Sequence, residues 1–79
     1  MFEQYDVVRI KELLKPIEVL PDGFNCREPR VGDIATVVEL YETPTVGYEL
    51  ECCRSDGQTE WLMTFSQNEI ELELIRRNA

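Results

Sequence analysis

Ser55-Asp56-Gly57-Gln58 lies between two runs whose side chains alternate in character, and this arrangement limits the fold more than anything else in the chain. Asp-Gly tolerates the positive φ that tight hairpin turns demand, so the flanking runs read as antiparallel neighbours. Upstream, Tyr48, Leu50 and Cys52 fall on one face while Glu49, Glu51 and Cys53 fall on the other. Downstream, Trp61, Met63 and Phe65 alternate with Glu60, Leu62 and Thr64. Alternation over this length is the mark of a strand with one face buried.

The same period recurs along the chain. Residues 6–13 read D-V-V-R-I-K-E-L, where the β-branched Val7, Val8 and Ile10 favour a strand over the competing helix. Residues 32–41 read G-D-I-A-T-V-V-E-L-Y, the best candidate for a central strand. Both of its alternating sets are largely apolar, which a bulge that switches the buried face would explain. Between these two strands, Pro16, Pro21, Pro29, Gly23 and Gly32 leave no room for a regular element, so residues 14–32 read as a long loop with a tight turn at Pro21-Asp22-Gly23. Residues 42–47 turn the chain again. Ser66-Gln67-Asn68-Glu69 has the S-x-x-E form of a cap with too little chain behind it for a helix, which predicts one 3₁₀ turn. Ile70-Glu71-Leu72-Glu73-Leu74 then alternates as a fifth strand, and residues 75–79 are expected to fray.

A chain of 79 residues makes one domain, 1–79, with a modest core, since a domain this small buries only about 60% of the surface its unfolded form exposes. No apolar run approaches the ~20 residues of a membrane-spanning helix, and the first residues lack the basic-then-apolar order of an export signal. A cytoplasmic protein is the expectation. Cys26, Cys52 and Cys53 are odd in number, two of them adjacent, which suits reduced thiols better than a disulfide framework. With no histidine and no C-x-x-C pair, neither a metal site nor a cofactor is expected.

Together these signals describe an all-β domain: a small five-stranded SH3-like barrel with the long loop after its first strand and the 3₁₀ turn before its fifth. Closing the sheet would also hide edges that otherwise aggregate. Residues 5–9 (Y-D-V-V-R), residues 31–39 (V-G-D-I-A-T-V-V-E), residues 48–51 (Y-E-L-E) and residues 67–71 (Q-N-E-I-E) resemble small bacterial proteins of the domain of unknown function 4926 family. The likeness implies the barrel, and it implies a companion encoded beside the gene, as in toxin–antitoxin or effector–immunity pairs. The 32–39 block is also similar to KOW-type modules, although Ala35 stands where those usually carry glycine and their basic loops are missing.

Charge points to a partner. The net charge is −8, and residues 39–73 carry nine acids against Arg54 alone. Glu49, Glu51, Glu60, Glu71 and Glu73 fall on outward positions and, with Tyr41 flanking them, form the candidate partner-binding face for another protein. Solvation and edge protection are the plain alternative for those charges. A KOW-like nucleic-acid module is the competing function. It would have to gather Arg9, Lys11, Lys15, Arg27 and Arg30 against an unfavourable field. Trp61 reads as core within its alternating run rather than as part of a peptide groove. Catalysis is not expected, because wet outward glutamates without histidine make a poor acid–base pair.

Overall fold

Five strands form where alternation places them: β1 (Val7–Leu13), β2 (Ile34–Tyr41), β3 (Gly47–Cys53), β4 (Thr59–Ser66) and β5 (Ile70–Arg76). The computed structural model describes residues 2–16 and 25–78, so the Pro21-Asp22-Gly23 turn lies outside the described residues. All neighbours are antiparallel, in one sheet of order β4-β3-β2-β1-β5. Among the described residues no helix is long and apolar enough to cross a membrane.

The middle strand, β2, bends. Its first residues pair with β1 (Val8↔Ala35) and its last with β3 (Leu40↔Tyr48), with a register shift between Val37 and Glu39. Ala35 and Val37 are buried before the shift, whereas Val38 and Leu40 are half-buried after it and Glu39 is exposed. The extra residue of a bulge switches the inward set, which is why both alternating sets had to be apolar. The core comprises Val8, Ile10, Ala35, Val37, Leu50, Cys52, Trp61, Phe65 and Ile70, with Trp61 edge-on to Phe65 at 6.1 Å. Cys52 is buried and Cys53 exposed, as opposite faces of one strand require.

The sheet does not close by hydrogen bonds: no ladder joins β4 to β5 among the described residues. Part of the outer edge of β4 is taken instead by residues 25 and 26 of the long loop. Cys26 N–H donates to Glu60 O at 2.7 Å, and Leu62 N–H donates to the Asn25 side-chain oxygen at 2.8 Å.

One turn departs from expectation. In the β3–β4 hairpin, Gly57 N–H donates to Arg54 O at 2.9 Å and Arg54 N–H to Gln58 O at 2.7 Å. Only Gly57 there has positive φ (89°), so this is a three-residue turn rather than a two-residue Asp-Gly one. Asp56 instead accepts from Gln58 N–H at 3.0 Å, a local bond for which its side chain suits. Before β5 the chain makes a single turn, in which Glu69 N–H donates to Ser66 O at 3.0 Å and Glu69 Oε1 accepts from Ser66 N–H at 2.8 Å.

The expected fraying from residue 75 is not seen in residues 75–78. Ile75 and Arg76 extend β5, and Asn78 N–H donates to Asp6 Oδ1 at 3.0 Å. Asp6 is wholly buried and also accepts from Glu3 N–H at 2.8 Å, so one carboxylate ties both ends of the chain. Burial alone would raise its pKa, but these N–H donors and the nearby Arg77 guanidinium hold it below its ordinary value.

Candidate functional site

Asp33 is the hub that fixes residues 25–30 of the loop against the sheet. Pro29 is buried just before the turn in which Asp33 N–H donates to Arg30 O at 3.1 Å, and Gly32 supplies the positive φ (95°) that such a turn needs at its third position. The Asp33 carboxylate then accepts from Arg27 at 2.8 and 3.1 Å, from Arg30 N–H at 2.9 Å and from the Trp61 indole N–H at 3.0 Å. Burial works against its charge, yet these donors outweigh burial and lower its pKa. Arg27 continues to Glu60 at 3.3 Å, and Glu60 also faces Arg54 at 3.8 Å. Glu60 is therefore a partly buried structural link.

The other expected acidic residues do not make one wall. Consecutive in sequence, β4 and β5 stand at opposite ends of the sheet. Glu71 and Glu73 consequently meet β1, where Lys11 lies 3.4 Å from Glu71 and Arg9 lies 3.0 Å from Glu73. Glu51 accepts from the Thr59 hydroxyl at 2.8 Å on β4. The cations proposed for nucleic acid are partly engaged by the same contacts, since Arg9, Lys11 and Arg27 each sit in an ion pair.

Glu49 and Tyr41 do come together. The Tyr41 hydroxyl lies 3.5 Å from Glu49 Oε2, and Glu49 stands directly opposite Glu39 across β2–β3. Like charges directly opposite on a sheet repel. Neither carboxylate has a salt bridge among the described residues. Partial burial raises the Tyr41 phenol pKa, and the carboxylates of Glu49 and Glu39 raise it further. Glu39 was countable within the acidic half of the chain, but only the register places it against Glu49.

Beside this pair an open groove of about 500 Å³ runs from Tyr41, Thr43 and Pro44 over Gly47 to Thr64, Ser66 and Glu69. Gly47 lies close against the backbone of β4: a Cβ there would lie 2.9 Å from the Phe65 carbonyl oxygen. Its lining carries the hydroxyls of Tyr41, Thr43, Thr45, Thr64 and Ser66, together with Phe65 and one carboxylate, Glu69. No cysteine lines the groove; on β3, burial raises both the Cys52 and Cys53 thiols above their ordinary pKa and nearby carboxylates add to this. Among the described residues no group of three or more Cys, Asp or Glu is placed to share a metal ion. No family model, curated protein or solved structure matches the chain.

Proposed function

We propose that this chain is a non-catalytic protein-binding module that works in the cytoplasm and docks a basic surface of another protein on the face formed by Glu39, Tyr41 and Glu49. One observation carries the reading: Glu39 and Glu49 oppose each other with no ion pair among the described residues, whereas Glu71 and Glu73 are each neutralised from β1. A like-charge pair destabilises the free sheet, and a partner's cation would relieve it. The strand order and the bent, shared β2 favour a partly open SH3-like barrel. The four sequence blocks favour kinship with the domain of unknown function 4926 family, and with it a partner encoded next door, in the manner of an antitoxin or immunity protein.

Co-expression with the neighbouring gene product tests this. The wild type and a Glu71→Lys/Glu73→Lys variant should co-purify with the partner, and a Glu39→Lys/Glu49→Lys variant should lose it. Equal recovery with all three would refute the assigned face.

A further inference from the structure

Among the described residues, the outer edge of β4 is closed on both sides of one open position. Leu62 N–H is taken by Asn25 and Ser66 N–H by Glu69, each at 2.8 Å, so both point away from β3. Residues two apart in an antiparallel strand send their main-chain groups to the same side, and β4 follows β3 in unbroken register from Leu62 to Ser66. Thr64 N–H and C=O therefore face that same outer edge. No hydrogen bond reaches them from the described residues. Thr64 is exposed, lines the groove, and pairs across the strands with Glu49.

We propose that an extended segment of the partner adds beside β4 at Thr64, exchanging both main-chain hydrogen bonds with it, and lays an arginine over Thr64 toward Glu49 and Tyr41. This rests on the protein-binding reading and names the kind of segment bound. An open edge position selects a strand, because only an extended chain presents a donor and an acceptor at matching spacing. Charge complementarity selects the side chain: Glu49 has no ion pair among the described residues, and the adjacent Tyr41 is 39% exposed. A guanidinium can fork onto the carboxylate and stack on the ring at once. The added strand would sit about 10 Å from β3, two inter-strand spacings, within the combined reach of an arginine and a glutamate. A second copy of this chain is a poor occupant, since pairing β4 with itself would bring more glutamates to a face already short of cations.

The test is a titration of the ¹⁵N-labelled full chain with acetyl-Thr-Val-Arg-Val-Thr-amide and with the same peptide carrying glutamine for arginine. The arginine peptide should give saturable shifts at Glu49, Thr64 and Phe65 and slow hydrogen exchange of the Thr64 amide. The glutamine peptide, or a Glu49→Gln chain, should bind about tenfold more weakly, a loss typical of one charged contact. Absence of saturable shifts, equal binding of the two peptides, or shifts centred on Glu71 and Glu73 would overturn the proposal. Thr64→Pro removes the edge N–H without touching the β3 ladder and should abolish peptide binding; if it fails to fold, Glu49→Gln and the exchange data decide. Should Thr64→Pro keep the co-purified partner while Glu39→Lys/Glu49→Lys loses it, the edge-strand inference falls and the protein-binding reading stands.

Discussion

Replacing Asp33 with alanine should strongly destabilise this protein. The Trp61 indole N–H, in a side chain with no exposure, would lose its acceptor, which costs about 1–3 kcal/mol. Arg27 would lose both bonds to the carboxylate but keep Glu60 and some solvent, adding about 1 kcal/mol. The exposed Arg30 N–H can turn to water and adds little. The total, about 2–4 kcal/mol, compares with roughly 4–12 kcal/mol for the stability of a domain this size. Each kcal/mol lowers Tm by about 4–8 °C at this length. Urea denaturation followed by fluorescence is direct, because Trp61 is the sole tryptophan. Asp33→Asn, which keeps an acceptor but no charge, should fall between. The pH dependence has a definite sign: Asp33 is held below its ordinary value of 3.8, so its advantage over Asp33→Asn is complete well above that value and disappears as pH falls through the depressed pKa. A loss under about 0.5 kcal/mol for Asp33→Ala, the range of ordinary surface changes, would refute the hub assignment.

Gly47→Ala pushes a methyl to 2.9 Å from the Phe65 carbonyl, backbone that cannot swing aside, and should cost about 1–3 kcal/mol in a urea titration. Glu39→Gln removes one of two opposed charges and should raise stability by about 0.2–1 kcal/mol. An ultraviolet titration should show the Tyr41 phenol moving back toward its ordinary pKa in Glu49→Gln, since that carboxylate helps hold it up. Cys53, exposed but with its thiol raised by burial and by Glu51, should alkylate at pH 7 more slowly than a free cysteine, and faster in Glu51→Gln.

Much of the sheet was legible because strand period and turn chemistry are local. Val8 and Ile10 inward with Arg9 and Lys11 outward, the bulge in β2, and the hairpin at Gly57 all follow from neighbouring residues. Alternation tells which face of a strand a glutamate takes, but not which strand lies beside it. Alternation alone therefore groups Glu71 and Glu73 with Glu49 and Glu51, although the strand order sends them to β1 and its cations. Asp33 was hidden for a related reason. Its role depends on residues 25–30 folding back onto β4, a contact between segments more than 25 positions apart. A hint was present in Trp61 itself: a core indole needs an acceptor for its N–H, and an aspartate opening the central strand is a natural source.

The most direct test is the hydrogen-exchange footprint of a partner bound to the intact chain. The account predicts protection at Glu39, Tyr41, Glu49 and Thr64, with Glu71 and Glu73 exchanging as in the free protein. A footprint confined to β1 and β5, leaving the Tyr41 groove unprotected, would contradict it.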